Sequence, residues 1–107
     1  MGRYFNMKHT KEQLEAMSDR GIDKLVAIST GFNADYIEKN PNDAPFYCSR
    51  WVDAGPLIDE LKSYHGARLT ISDNFVDFHS ERTYPTSAAG EEKRAIAIVY
   101  ILIRQGE

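Results

Sequence analysis

The stretch that decides the fold is ARLTISDNFVDFHS, residues 67–80. Its apolar residues recur at every second position on both sides of Asp73-Asn74, which is the period of a strand with one buried face. If these two residues form the turn of a β-hairpin, Ile71 faces Val76 across the strands. Leu69 then faces Phe78, and all four apolar residues lie on one face of the sheet. The other face carries Arg68, Thr70, Phe75, Asp77 and His79.

Helical periodicity precedes the hairpin. Asp53 has the side chain of an N-cap residue, and Pro56 then falls in the first turn of the helix, where its missing N–H costs nothing. We expect this helix to end at Gly66. Its apolar stripe consists of Leu57, Ile58, Leu61 and Tyr64.

A second helix is predicted after the hairpin. Tyr84-Pro85 closes the sheet region, with room for a short third strand before it. We expect Ser87 to cap the last helix, which runs from Ala88 to about Arg104. The stretch AIAIVYILI, residues 95–103, gives it an apolar face so wide that deep burial follows.

Two short helices are predicted before residue 32. Thr10 and Gln13 form the T-x-x-Q pattern of a capping box. Ser18 or Asp19 caps the next helix, which Gly31 ends. Residues 1–8 show no clear period and are expected to form a loose or edge segment. Residues 32–48 are rich in Asn, Pro and aromatic residues, which predicts a long loop against the core and a candidate binding segment.

The 107 residues are therefore expected to form one α+β domain, with N-terminal helices followed by helix, β-hairpin or short antiparallel sheet, and helix. The net charge of −3 gives no basic excess, which argues against nucleic acid as the main partner.

Cys48 is the single cysteine, so no intramolecular disulfide forms, as is usual in a reducing compartment. The chain shows neither a signal-peptide pattern nor an apolar run long enough for a membrane span. We expect a cytoplasmic protein.

The polar face of the hairpin is one candidate site. Arg68 and His79 are expected to be neighbours across the strands, as are Thr70 and Asp77. A histidine beside an aspartate and an arginine can act as a general base or bind an anion. A solvated sheet face explains the same residues more simply, because no nucleophile accompanies them. Neither metal-ligand spacing nor a nucleotide-binding glycine motif is present, so we expect no metal, no cofactor and no enzymatic activity.

Trp51 is a second candidate, because it follows the aromatic segment that includes Tyr47. An exposed tryptophan beside aromatic residues is typical of a hot spot in a protein interface. A half-buried anchor between the loop and the helix is the simpler interpretation.

Basic residues suggest two further hypotheses. Arg68, His79, Arg82 and Lys93 could form a pocket for a small anion such as a nucleotide signal. Because one small domain offers little concavity, such a pocket would lie at the interface of a homodimer. Lys93 and Arg94 at the start of the last helix also suggest weak RNA binding, although Glu91 and Glu92 reduce the positive field there.

Two blocks of the sequence carry a resemblance: MSDRGIDKLVAIST, residues 17–30, and WVDAGPLID, residues 51–59. Together with Arg94-Ala95 in the last helix, they resemble the small NinX-like proteins of tailed phages and prophages. The layout also looks like the phage alpha-beta-alpha sandwich domains. The matching positions are Met17, Ser18, Asp19, Ile22, Val26, Ala27, Asp53, Ala54, Pro56, Leu57, Ile58, Arg94, Ala95, Ala97 and Ile98. The resemblance implies this fold and a phage setting, and it implies no catalytic residues.

The leading hypothesis is a non-enzymatic phage or prophage accessory protein. It would bind a host or defence-system protein in the host cytoplasm and inhibit it, in the manner of an anti-CRISPR protein. Sequestration of a small anionic ligand and weak RNA binding remain the alternatives. The candidate binding residues are Tyr47, Trp51, Arg68, Asp77, His79, Arg82 and Lys93.

Overall fold

The computed structural model of the protein describes residues 8–106, and its centre is a three-stranded antiparallel sheet. The strands β1 (Arg68–Ser72), β2 (Phe75–Ser80) and β3 (Thr83–Ala89) lie in the order β1-β2-β3. The predicted hairpin register is confirmed, with Ile71 opposite Val76 and Leu69 opposite Phe78. Val76 and Phe78 are fully buried on the inner face, because a sheet of this kind buries one face and leaves the other to solvent.

Helices cover the inner face of the sheet. They are α1 (Lys11–Glu15), α2 (Asp19–Ser29), α3 (Ala34–Lys39), α4 (Trp51–Lys62) and α5 (Glu92–Gln105), with a 3₁₀ turn at Pro41–Asp43. The helix α5 packs against β2 and β3 on one side and against α2 and α4 on the other. It is therefore apolar over most of its circumference, as predicted. Its buried residues are Ala95, Ile96, Ala97, Ile98, Val99, Tyr100, Ile101 and Ile103.

The α+β fold class is confirmed, and so are the first two helix starts. The Thr10 hydroxyl accepts the N–H of Gln13, whose side chain accepts the N–H of Thr10, so the capping box is complete. Ser18 caps α2 by accepting the N–H of Gly21. In the described residues, no helix is long and apolar enough to cross a membrane.

Two predicted helix starts are wrong. The helix α4 begins at Trp51, since the carboxylate of Asp53 accepts the N–H of Phe46 instead of capping a helix. Pro56 consequently lies within α4, where it removes the N–H that would reach the carbonyl of Val52. The helix also ends earlier than expected, at Lys62 rather than at Gly66.

The last helix begins later than predicted because the third strand is longer. Ser87 lies in β3, and Glu91 caps α5 by accepting the N–H groups of Lys93 and Arg94. Pro85 is compatible with β3 because β3 is an edge strand. Proline has no N–H to donate to a neighbouring strand, and this is tolerated at the edge of a sheet. Gly90, with φ of 121°, makes the bend between strand and helix.

The segment 32–48 is more ordered than a loop. Asn33 caps the short helix α3 by accepting the N–H of Tyr36, and the hydroxyl of Tyr36 donates to Asp43 in the 3₁₀ turn. Ile37 is fully buried, so the segment lies against the core, as expected. Of the predicted loose segment 1–8, residues 1–7 lie outside the described part of the chain.

The packing of α4 along α5 brings their N-termini to one end of the molecule. At that end Lys93 in α5 lies over Trp51 in α4. At the other end, the hydroxyl of Tyr100 donates to the Glu60 carboxylate, with 2.9 Å between the oxygens. The two helices therefore run parallel. The start of α2 joins the same end, because Arg94 forms an ion pair with Asp19 at 2.7 Å.

Candidate functional site

The start of α4 carries two consecutive exposed apolar side chains. Trp51 is 46% exposed and Val52 is 78% exposed. The ammonium nitrogen of Lys93 lies 4.9 Å from the centroid of the Trp51 ring, within the range of a cation–π interaction. The tryptophan is therefore fixed on one side and open on the other.

Phe46 extends this surface toward the segment before α4. The guanidinium carbon of Arg20 lies 4.0 Å from the centroid of the Phe46 ring, and that of Arg50 lies 4.4 Å from it. Arg50 is exposed and Phe46 is half-buried. We call the surface formed by Phe46, Arg50, Trp51, Val52 and Lys93 the α4 patch.

A network of buried polar contacts holds the segment under the α4 patch. Asp23 is fully buried, and it binds the guanidinium of Arg20 at 2.8 Å and the N–H of Cys48 at 2.9 Å. Arg20 also donates to three carbonyl oxygens of the preceding turn. These belong to Pro41, Ala44 and Pro45, at 2.9, 2.9 and 3.2 Å. With its backbone tied to α2 in this way, the patch loses little conformational entropy on binding.

The charges beside the patch are largely compensated within the protein. Lys93 forms an ion pair with Glu91 at 2.8 Å. Burial alone would raise the pKa of Glu91, but hydrogen bonds from the Lys93 side chain and from the backbone N–H groups of Arg94 and Lys93 outweigh it, and the pKa is lowered. The carboxylate therefore stays charged and keeps Lys93 in place over Trp51.

Of the two predicted aromatic residues, only Trp51 lies at the surface. Tyr47 is buried in the core, and burial raises the pKa of its hydroxyl. Its neighbour Phe46 takes the surface position instead. The sequence marks this segment as aromatic, but it does not show which of two consecutive rings points outward, because the segment is neither helix nor strand.

The polar sheet face forms as predicted. Arg68 lies opposite His79, and Thr70 lies opposite Asp77. Among described residues, the side chains of Arg68, Asp77 and His79 form no hydrogen bond or ion pair with one another, so nothing orients the histidine as a base. The described part of the chain also contains no group of three or more His, Cys, Asp or Glu residues placed to hold a metal ion.

Within one copy of the chain, Lys93 lies apart from Arg68 and His79, the other ends of the expected anion pocket. The register places His79 and Arg68 at the end of the sheet where β2 turns into β3. Lys93 follows the other end of β3, where Ala89 lies opposite Phe75. Arg82 faces a separate groove of about 620 Å³ between β3 and the C-terminal end of α5. That groove is lined by Tyr64, Arg82, Thr83, Tyr84, Thr86, Leu102, Ile103 and Gly106.

Cys48 is not a nucleophile in this environment. The residue is buried, its N–H binds Asp23, and its thiol faces the carbonyl oxygen of Asp19 at 3.6 Å. Burial, together with the negative charge of Asp23, raises the pKa of the thiol far above its ordinary value. A thiolate is the reactive species, so this cysteine serves as a packed core residue.

Comparison of the chain with protein-family models, with curated proteins and with solved structures finds no match. The interpretation of the α4 patch therefore rests on its geometry alone.

Proposed function

We propose that the protein is a non-enzymatic module that binds another protein through the α4 patch. The observation that carries the proposal is the adjacent exposure of Trp51 and Val52 on a rigid helix start. Tryptophan and arginine are the residues most enriched at hot spots of protein interfaces. The patch presents both, with Arg50 beside Trp51.

The form of the patch favours a partner with a pocket for one aromatic side chain. Trp51 projects from the first turn of α4, and its neighbour Val52 is the more exposed of the two. The exposed Arg50 adds positive charge beside them, so an acidic group at the rim of the partner's pocket would complement this surface. The patch is small, and binding energy would concentrate in a few residues.

The biological setting of the proposal comes from the resemblance to NinX-like phage proteins. In that setting the partner is a host protein or a component of a defence system, and binding inhibits it in the host cytoplasm. The overall negative charge of the chain is compatible with such a role and unfavourable for a nucleic-acid partner.

Affinity capture tests the proposal. The tagged protein is incubated with nuclease-treated host lysate, and captured proteins are identified by mass spectrometry. We expect one stoichiometric partner that the wild-type protein retains and that Trp51→Ala loses. Tyr84→Ala is the matched control, since Tyr84 is 90% exposed and lies beside the opposite end of α5. Equal capture by wild type and Trp51→Ala, or loss in Tyr84→Ala, would contradict the proposal.

A small anionic ligand is the second candidate, and the groove at Arg82 favours it. A volume of about 620 Å³ lies within the usual range for ligand sites, and Leu102 and Tyr64 give it an apolar wall. Arg82 would supply the charge that binds the anion. A rise in the melting temperature with nucleotides, absent in Arg82→Ala, would support this function. No shift with any nucleotide would exclude that ligand class.

RNA binding through α5 and the hairpin has less support. Lys93 and Arg94, the residues that suggested it, form ion pairs with Glu91 and Asp19. Both cations are thereby neutralised before a phosphate could approach. If RNA binding occurs, its affinity should fall steeply with salt concentration.

A further inference from the structure

In the part of the chain that the structure describes, the strand β1 is an outer strand with no strand paired to its second edge. Its two-residue turn makes Ser72 and Phe75 a hydrogen-bonded pair, and such pairs alternate along an antiparallel ladder. The N–H and C=O groups of Leu69 and Ile71 therefore point away from β2. Among described residues, no backbone or side-chain group forms a hydrogen bond with them.

The opposite edge of the sheet, at β3, is protected, whereas the edge at β1 is not. At β3 the N–H of Ala89 points outward and donates to the carboxylate of Glu15 at 3.3 Å, and Lys11 donates to the hydroxyl of Ser87. Pro85 has no N–H to offer. The outward direction of the Ala89 N–H agrees with the alternation of hydrogen-bonded pairs. Ala89 lies opposite Phe75, and the N–H and C=O groups of Phe75 point toward β1. β1, with the sequence RLTIS, has neither a proline nor a lysine nor a bulge to protect it.

We infer that β1 pairs in antiparallel fashion with β1 of a second copy of the chain, around a two-fold axis at Thr70, to give a six-stranded sheet. Leu69 of each copy then lies opposite Ile71 of the other. Both residues have their N–H and C=O groups directed outward, so this register makes four backbone hydrogen bonds. A two-fold axis midway between two residues of β1 is excluded. It would place a residue whose N–H and C=O groups point outward opposite a residue whose groups point toward β2.

The side chains of β1 suit this register. Thr70 is exposed and would meet Thr70 of the second copy, a favourable cross-strand pair. Arg68 would lie opposite Ser72 and next to the turn that carries Asp73 of the second copy. Neither Arg68 nor Asp73 forms an ion pair with another described residue, and the two-fold axis brings these opposite charges together at both ends of the strand. Leu69 and Ile71, which are half-exposed, would become covered.

The interface is short, and this sets the expected strength of the dimer. Five residues from each copy bury less than the roughly 1,200–2,000 Å² of a standard protein interface. We therefore expect a dimer that forms reversibly with rising protein concentration. It lies on the sheet edge and leaves the α4 patch free, so its failure would not affect the proposed function.

Cysteine cross-linking at the axis tests the register. In Thr70→Cys the two new thiols face each other in a non-hydrogen-bonded pair, where the Cα separation allows a disulfide. In Ser72→Cys the symmetry places the two thiols four residues apart along the strands, or about 13 Å, which is too far. In a glutathione redox buffer we expect mostly disulfide-linked dimer for Thr70→Cys and at least tenfold less for Ser72→Cys. The native Cys48 is buried and identical in both variants.

Sedimentation equilibrium provides the second measurement. The wild-type protein should show a concentration-dependent dimer. Thr70→Lys should weaken it at least tenfold, since two lysines would meet at the axis. The fold should persist, because the lysine lies opposite Asp77 within the monomer. A wild-type protein that stays monomeric at millimolar concentration, or equal cross-linking of Thr70→Cys and Ser72→Cys, would overturn the inference.

Discussion

The buried carboxylate of Asp23 accepts the backbone N–H of Cys48, with 2.9 Å between Oδ1 and the nitrogen. This one contact joins α2 to the segment that leads into α4. Because the same carboxylate also binds Arg20, whose guanidinium lies over Phe46, the position of the α4 patch depends on a residue that never reaches the surface.

We expect Asp23→Asn to destabilise the protein by about 2–3 kcal/mol, because it removes the charge of the fully buried carboxylate while Arg20, whose side chain is 34% exposed, keeps its own. The amide would also direct N–H donors toward the guanidinium. Urea unfolding followed by circular dichroism measures the change. Asp59→Asn is the matched control, since Asp59 is exposed on α4, and it should alter the free energy of unfolding by less than about 0.5 kcal/mol. Equal effects of the two substitutions would show that the network contributes nothing.

Glu91 predicts a pH dependence of stability. The lowered pKa means that folding favours the charged carboxylate, so its contribution is complete above the ordinary pKa of 4.5 and is lost as the pH falls through the lower folded-state value. Glu91→Gln keeps an oxygen that can accept the N–H groups of Lys93 and Arg94 but removes the charge. The wild type should therefore be more stable than the variant at pH 7, by less than about 1 kcal/mol because the side chain is half exposed.

The difference between the two proteins should shrink toward zero as the pH falls below 4.5 and through the lowered pKa of Glu91, and urea titrations at several pH values would measure it. A stability difference that stays constant between pH 7 and pH 3 would contradict the role of the charge.

The buried thiol of Cys48 predicts resistance to modification. In the native protein we expect a disulfide reagent such as DTNB to react at least a hundredfold more slowly than in urea, because the thiol is both covered and protonated. Absorbance at 412 nm follows the reaction. Rapid labelling of the folded protein at neutral pH would show that the segment before α4 opens readily.

The hairpin could be predicted from the sequence because its period and its turn are local properties. The register from Leu69 to Phe78 follows from alternation around two turn residues. The starts of α4 and α5 could not be predicted in the same way, since Asp53 and Ser87 both have N-cap side chains. Asp53 is instead used by Phe46, and Ser87 is held within a strand. Such choices depend on contacts formed only in the complete fold.

The candidate site shows the same division between local and tertiary information. The aromatic surroundings of Trp51 predict it as a candidate, but its contact with Lys93 follows from the parallel packing of α4 and α5, which no local pattern encodes. Within one copy of the chain, strand register also separates Lys93 from Arg68 and His79, and no local pattern in the sequence shows this separation.

The most direct test of the central claim is the dissociation constant of the captured partner for Val52→Asp, measured by isothermal titration calorimetry. Val52 is 78% exposed in the first turn of α4, where an aspartate also favours the helix, so the substitution changes the surface without harming the fold. Tyr84→Asp makes the same kind of change at the opposite end of α5. If the α4 patch is the binding surface, Val52→Asp should weaken binding at least thirtyfold and Tyr84→Asp less than threefold. Binding of Val52→Asp within threefold of the wild type would contradict the account.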